Sequence, residues 1–461
     1  MKPGETAIVD ITSVNSEGEG IARLESSDAK KFVIFVPGAL PGERVKCRIL
    51  RLSKNYAAAG VLDILSPSPD RVTPQCTVYN RCGGCQLQHA RYSAQLEFKK
   101  KILTDAMRMI GRTDLESAVE CIPSPEEWGY RNKTVLPVGM TVGYYERRSH
   151  NIVPFSGCPV LKPQIEKTMT AIIESLEGSG FKGYNESKKD GDIRYIAARS
   201  GELNGTAEVL SGVVAARDLK DREFGKLRNI HQRLGAQNPN LIGSVMNIKT
   251  RPDNFIWGPV FKSLCGKKIL NTMLDKYVCS LDISAFFQIN IPQAERMFSY
   301  VKDKVRRYGS SSLLELYSGV GSLTLFLAEA AEKIDAVEEW RPAARQMAEN
   351  MERNSASNVH IFTESAEGFI QKAENQKFLK YDTIVLDPPR TGCLEGVVSG
   401  IRIISPETII YISCNPATLA RDVARIAEDG KYVIDSLTAY DMFPQTAHVE
   451  SVCVMRRKRG N

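Results

Sequence analysis

From about residue 281 onward, apolar runs of strand length alternate with helical stretches, and no other feature restricts the fold as much. The runs are 312–317 (SLLELY), 333–339 (KIDAVEE), 359–365 (VHIFTES), 381–389 (YDTIVLDPP) and 407–414 (ETIIYISC). Between the first pairs lie 323–332 (LTLFLAEAAE) and 341–354 (RPAARQMAENMERN). Parallel strands need a long crossover, normally a helix. The alternation therefore predicts a parallel sheet covered on both faces. In such sheets ligands bind beyond the carboxyl ends of the strands, so chemistry is sought in the residues that end each run.

Upstream the pattern is different. Residues 1–66 hold the strand-like segments 5–14, 31–36, 44–52 and 57–65, separated by NSEGEG at 15–20 and PGALPGE at 37–43. Short strands at this spacing predict a small β-barrel of OB type. Arg44, Lys46, Arg48 and Arg51 alternate along one strand, with Lys54 following. They suit a phosphate backbone or, equally, a solvated edge strand. Residues 66–74 (SPSPDRVTP) read as a linker, 92–112 as an amphipathic helix, and 125–280 as an α+β region. The expected division is 1–66, 67–280 and 281–461, a multidomain α/β protein.

Composition removes other classes. The 461 residues are 43% hydrophobic and 25% charged, ordinary values for a globular chain, not a disordered, collagen-like or coiled-coil one. The net charge of +7 permits a polyanionic partner without requiring one. No uncharged apolar run reaches the roughly 18 residues of a membrane helix, and the first ten residues lack a secretory apolar core. Eleven cysteines, an odd number, argue against a disulfide framework. The expected setting is cytoplasmic, away from membranes, with cysteines reduced, liganded or catalytic. The basic run 456–459 is read as a solvated terminus.

Glu315-Leu-Tyr317-Ser-Gly319-Val-Gly321 follows the first run and leads into a helix. Glycines there let the backbone approach a ligand closely. Glu338, at the end of the next run, is placed to accept both hydrogen bonds of a ribose diol. A dinucleotide or S-adenosylmethionine would fit. Thr324 stands where the pyrophosphate fingerprint needs a third glycine, which weakens the dinucleotide. The fourth run ends in Asp387-Pro-Pro-Arg390, a stiff carboxylate-bearing element. The fifth ends in Cys414-Asn-Pro416, with a helix following whose N-terminus is expected to lower the thiol pKa. Glu450 precedes a final apolar strand, where a carboxylate is costly unless it faces a site or solvent.

A thiol and a carboxylate together suit a uracil ring. Carbon 5 of uracil is too weak a nucleophile to take a methyl group. A thiolate adding to carbon 6 gives an enolate with carbanion character at carbon 5, and a base must afterwards remove the carbon 5 proton.

Five motifs in order carry a resemblance to one family: Phe286-Phe287-Gln288-Ile289-Asn290, Glu315 to Gly321, Asp387 to Arg390, Ser413-Cys-Asn-Pro416 and His448-Val-Glu450. Together they resemble the 23S rRNA (uracil-5-)-methyltransferases, relatives of the tRNA uracil-5 methyltransferases. The resemblance covers essentially the whole chain. It implies an N-terminal TRAM barrel, a central iron–sulfur domain and a Rossmann-like class I methyltransferase domain. It implies that Gln288, Tyr317, Glu338 and Asp387 contact S-adenosylmethionine, that Cys414 is the nucleophile and that Glu450 is the base. Ser365 is a candidate adenine-edge contact.

The resemblance also gives Cys76, Cys82, Cys85 and Cys158 a role as ligands. Four thiolates suit a [4Fe–4S] cluster and equally suit tetrahedral zinc; the family's iron–sulfur members favour the cluster. The spacing of radical enzymes is absent, so radical generation is not expected; methyl transfer needs no electrons, so the cluster is expected to hold structure. The implied partner is 23S rRNA at a single-stranded or loop uridine, with no DNA and a monomeric enzyme. A tRNA uridine, or a non-catalytic rRNA assembly role, are the competing functions.

Overall fold

The computed structural model describes residues 2–25, 31–113, 115, 117–251, 253, 255–375 and 380–458. Arg459, the last of the basic run, lies outside the described residues.

Strands β1 (Thr6–Val14), β2 (Glu19–Glu25), β3 (Lys31–Pro37), β4 (Arg44–Leu52) and β5 (Tyr56–Ser66) close into a barrel in the order β1-β2-β3-β5-β4. Val45, Cys47 and Ile49 of β4 point into the barrel core, while Arg44, Lys46 and Arg48 are exposed. That alternation sets the register, since a one-residue slip would bury the bases. β2 was not among the expected strands. Its sequence, EGIARLE, lacks a strand signature, and its place comes from antiparallel pairing with both β1 and β3. Gly20 is needed there, because a Cβ would stand 2.8 Å from the carbonyl oxygen of Ala39.

After the barrel come α1 (Tyr92–Met109) and β6 (Glu120–Ile122). A third group holds β7 (Lys133–Pro137), β8 (Gly143–Tyr145), β9 (Ile152–Pro154), α2 (Pro163–Leu176), β10 (Ile193–Leu203), β11 (Thr206–Ala215), α3 (Asp221–Gln237), β12 (Leu241–Ile248) and β13 (Val260–Gly266). Here β13-β12-β11-β10-β7 form a five-stranded sheet. Helices α2 and α3 cover one face through Ile165, Met169, Leu227 and Leu234. The hairpin β14 (Leu270–Leu274) and β15 (Tyr277–Leu281) links it to the C-terminal part.

The C-terminal elements are α4 (Ile291–Tyr308), β16 (Ser310–Leu316), α5 (Ser322–Leu327), β17 (Ala331–Val337), α6 (Arg341–Arg353), β18 (Val359–Phe362) and α7 (Ala366–Asn375). They continue with β19 (Thr383–Leu386), α8 (Glu395–Ile404), β20 (Thr408–Ser413), α9 (Pro416–Ile426), β21 (Tyr432–Tyr440) and β22 (Glu450–Arg457). The sheet runs β18-β17-β16-β19-β20-β22-β21-β6. Strands β16 to β20 are parallel, as the alternation requires, and β22 inserts antiparallel between β20 and β21. One apolar layer lies on each face of the sheet.

The remote strand β6 pairs with β21 at the sheet edge. Helix α1 buries Ile102, Leu103 and Met107 in the same layer as Leu419 and Val423 of α9. Residues upstream of the central sheet thus complete the C-terminal one. Among the described residues no helix is long and apolar enough to cross a membrane.

Candidate active site

The strand order reverses between β16 and β19, and the crevice beyond their carboxyl ends is the favoured ligand position of a doubly wound sheet. Tyr317, just past β16, has φ 65°, and Gly319 and Gly321 have φ 58° and 83°. A left-handed tyrosine is uncommon and marks a constrained turn. The two glycines are needed for different reasons. At Gly321 a Cβ would lie 2.6 Å from Met347 Cγ, whereas at Gly319 nothing stands within 4 Å. Gly321 seats the turn on α6 and Gly319 leaves open space.

Glu338, just past β17, is held by two backbone donors. Gly319 N donates to its Oε2 at 2.9 Å and Trp340 N to its Oε1 at 2.8 Å. Glu315 is buried, and burial, with Asp387 and Glu338 nearby, pushes its carboxyl up to about 8. Burial also pushes Asp387, just past β19, up to about 7. Asp387 and Glu338 are thus close enough to act on the buried Glu315. Ser365 accepts a hydrogen bond from Gly368 N at 3.1 Å at the start of α7.

Cys414 follows β20 and Glu450 opens β22. These strands pair with Ser413 opposite Ser451, and Ser451 Oγ donates to Ser413 O at 3.0 Å. The thiol and the carboxyl therefore emerge side by side at one end of the sheet. Burial pushes the thiol up to about 11, Glu450 and Asp387 add to the rise, and Arg390 opposes it through its charge and a hydrogen bond. The thiol is therefore raised where α9 was expected to lower it, burial being the largest cause. Glu450 is itself pushed well up by burial and by Asp387, with Arg390 again opposing.

Arg390 is the cation common to both groups, and sequence reasoning gave it no catalytic part. Its carbonyl accepts from Asn415 Nδ2 at 3.0 Å and Thr418 Oγ1 at 3.3 Å, while Asn415 Oδ1 caps α9 by accepting from Ala417 N at 3.1 Å. These bonds tie the prolines after β19 to the turn carrying Cys414. The guanidinium Nη2 stands 3.4 Å from Nδ1 of His448. Burial, then Arg390, Lys99 and Arg131, push His448 down to about 4, so the ring is neutral at pH 7.

Gln288 lies in the loop before α4, nearly buried beside the exposed ring of Phe286. The central sheet holds this loop. Asn132 Nδ2 donates to Gln288 O at 2.9 Å, and Lys133 Nζ donates to Ser284 O at 3.3 Å and Ala285 O at 3.1 Å. The buried Arg199 also donates to Ala285 O. Asn290 Nδ2 reaches Met442 O at 3.2 Å, joining the loop to the segment that precedes Glu450.

Cys76, Cys82, Cys85 and Cys158 come from two segments that the β8–β9 hairpin brings together. Cys82 bridges to Glu146, between β8 and β9, and Gly83 N donates to Tyr145 O at 3.0 Å. Gly83 fits closely, since a Cβ would lie 3.1 Å from that oxygen. Burial pushes Cys85 up to about 12, with Cys158, Cys82 and Cys76 contributing. Burial likewise pushes Cys158 up to about 11, with Cys82 and Cys76 contributing. The four thiols therefore share one neighbourhood. All eleven cysteines are free, and among the described residues no group of three or more His, Cys, Asp or Glu is arranged to hold a single metal ion.

Comparison with known proteins bears on both ends of the chain. A family model described as tRNA (Uracil-5-)-methyltransferase matches residues 267–458, and a TRAM domain model matches residues 1–62. Over 98% of its length the chain is 32% identical to an uncharacterized RNA methyltransferase of Halalkalibacterium halodurans, covering 96% of that relative. Over 99% of its length it is 33% identical to an uncharacterized RNA methyltransferase of Synechocystis sp., covering 97% of that one. The crystal structure of Pyrococcus abyssi tRNA (uracil-54, C5)-methyltransferase in complex with S-adenosyl-L-homocysteine is similar over 97% of this chain and all of that chain, with a TM-score of 0.75 and 26% identity.

Proposed function

We infer the reaction from one premise: the chain belongs to the S-adenosylmethionine-dependent RNA uracil-5-methyltransferase family. The finer reading is that it methylates carbon 5 of particular uridines in 23S rRNA, acting as a monomer in the cytoplasm. The observation that carries the mechanism is the pairing of β20 with β22, which sets Cys414 beside Glu450.

In this reading the Cys414 thiolate forms a bond to carbon 6 of uracil, and the electron pair of the 5,6 double bond moves toward carbon 4 and its oxygen. Arg390 stabilises the thiolate before attack. Bound S-adenosylmethionine supplies the methyl group that carbon 5 takes. Glu450 then removes the carbon 5 proton. That electron pair restores the double bond, the carbon–sulfur bond breaks, and the thiolate is regenerated.

The crevice suits the methyl donor. Gly319 borders open space, Glu338 is oriented by two amides for a ribose diol, and Asp387 lies at the same strand ends, which suits a ligand that carries a sulfonium and an ammonium. Tyr317 and Gln288 complete the proposed set.

Cys76, Cys82, Cys85 and Cys158 would hold a [4Fe–4S] cluster. Tetrahedral zinc, at about 2.3 Å from each sulfur, needs sulfurs roughly 3.8 Å apart. Four thiols that share a neighbourhood also suit a cubane, and the likeness to iron–sulfur members of the family favours it. The cluster would supply a rigid crosslink between residues 76–85 and Cys158; the methyl transfer needs no electrons from it.

A second reading, a tRNA uridine, is supported by the full-length likeness to the Pyrococcus abyssi enzyme. Mass-spectrometric mapping of 5-methyluridine in 23S rRNA and tRNA, from cells with and without the gene, decides between them. Loss confined to 23S rRNA is expected, and loss confined to tRNA would establish the second reading. If neither RNA changes, and the Cys414→Ala protein behaves as wild type, the chain is an RNA-binding assembly factor.

A further inference from the structure

We propose that Gln95, Gln86 and Lys99, all outside the catalytic sheet's own crossovers, are positioning residues for proton removal, because they clamp the 441–449 segment that delivers Glu450. The proposal rests on the assignment of Glu450 as base.

The segment between β21 and β22 makes few bonds of its own and is gripped from outside along its length. Lys99 Nζ of α1 donates to Asp441 Oδ1 and, at 3.1 Å, to Phe443 O, with both charged side chains fully buried. Tyr130 OH donates to Pro444 O at 2.9 Å. Gln445, at φ 70°, is the bend, a left-handed conformation that a non-glycine residue holds only when its surroundings require it.

Those surroundings are specific. Gln445 N donates to Gln95 Oε1 at 2.9 Å, and Gln95 Nε2 returns a bond to Gln445 Oε1 at 3.0 Å. Gln445 O accepts from Gln86 N at 3.1 Å and Leu87 N at 2.9 Å, the two residues that follow Cys85. Gln86 Oε1 accepts from Ala447 N at 3.4 Å, while its Nε2 donates to Gly83 O at 2.9 Å. Gln95 and Gln445 are buried, so no water replaces a lost partner.

Glu450 lies three residues past Ala447, at the end of the clamped stretch. Cys414 is held otherwise, by β20 and by the Asn415–Arg390 ties. Loosening the clamp therefore impairs the second half of the reaction more than the first. The cysteine-bearing segment also acquires a mechanical part: the amides just past Cys85 fix the bend that aims the base.

The split is directly readable, since slow proton removal leaves a methylated uracil bonded to Cys414. The test uses full-length protein, S-adenosylmethionine and substrate RNA, with denaturing gels for the covalent protein–RNA adduct and a parallel assay of released methylated RNA. Gln95→Leu keeps volume and removes both bonds to Gln445. It should accumulate adduct several-fold over wild type while release slows about ten- to hundredfold, the scale expected of a displaced catalytic group. Gln86→Ala, which keeps the backbone amides, should shift both in the same direction by less, and it serves as the test if Gln95→Leu does not fold.

Glu450→Gln runs alongside. If it traps adduct and neither glutamine variant does, or if adduct and release fall together in those variants, the clamp has no positioning role. If Glu450→Gln itself traps no adduct, Glu450 is not the base and the proposal falls with that assignment.

Discussion

Replacing Arg390 by alanine should slow the attack of Cys414 by making its thiolate scarcer. Burial, Glu450 and Asp387 together raise this thiol from 9.0 to about 11, even with Arg390 opposing them. At pH 8 a thiol at 9 is about one-tenth ionised and one at 11 about one-thousandth, a difference of roughly 2.7 kcal/mol. Arg390 favours the charged form, so its removal moves the thiol further up and never down. A charge-assisted hydrogen bond contributes about 1.5–3 kcal/mol when shielded. Arg390 is exposed, so screening reduces this to about 1 kcal/mol, or five- to tenfold in thiolate population. Iodoacetamide alkylation of the Cys414 peptide, followed by mass spectrometry from pH 7 to pH 11, should show that loss at every pH below the wild-type midpoint. The gap should begin to narrow only as pH approaches about 11, since the variant's midpoint lies above the wild-type one. Arg390→Lys keeps the charge but not the planar donor fork and should fall between them. Alkylation curves that overlay, or an alanine curve displaced to lower pH, would refute the electrostatic role.

Three further perturbations follow from the geometry. Lys99→Met leaves Asp441 buried without its cation and should cost about 3–5 kcal/mol in denaturant unfolding; adding Asp441→Leu should recover most of it, and no recovery would mean that the pair is not what the site needs. Glu338→Ala removes the acceptor aligned by Gly319 and Trp340 and should weaken S-adenosylmethionine binding about tenfold or more by calorimetry, with unchanged affinity counting against the ribose assignment. Gly18→Ala places a Cβ 2.6 Å from Gln86 Cβ at φ +72°. It should cost about 1–3 kcal/mol by overpacking, and a thermal midpoint equal to wild type would show that this barrel turn yields easily.

The C-terminal sheet was legible because its rules are local. A run such as 312–317, a glycine turn and a helix specify a β-α unit whatever the rest of the chain does, and Cys414 and Asp387 could be placed at strand ends from spacing alone. What failed was what the chain settles at a distance. β2 carries charges at Glu19, Arg23 and Glu25 and exists because β1 and β3 each offer it an edge. The Cys414 thiol was expected to be lowered by α9, but burial raises it first and then Glu450, which only the β20–β22 pairing brings near. Lys99 marks the boundary between the two kinds of information. It lies three residues after Leu96 and four before Leu103, so helical spacing sets it on the apolar stripe of α1, apart from the solvated Lys100 and Lys101. A lysine on that stripe must have a buried acid or lose its charge, and this demand is visible in the sequence. Its answer, Asp441, is 342 residues away, and nothing local to either residue names the other. The proposed catalytic groups could therefore be listed from their motifs, while the clamp proposed to aim one of them required the fold.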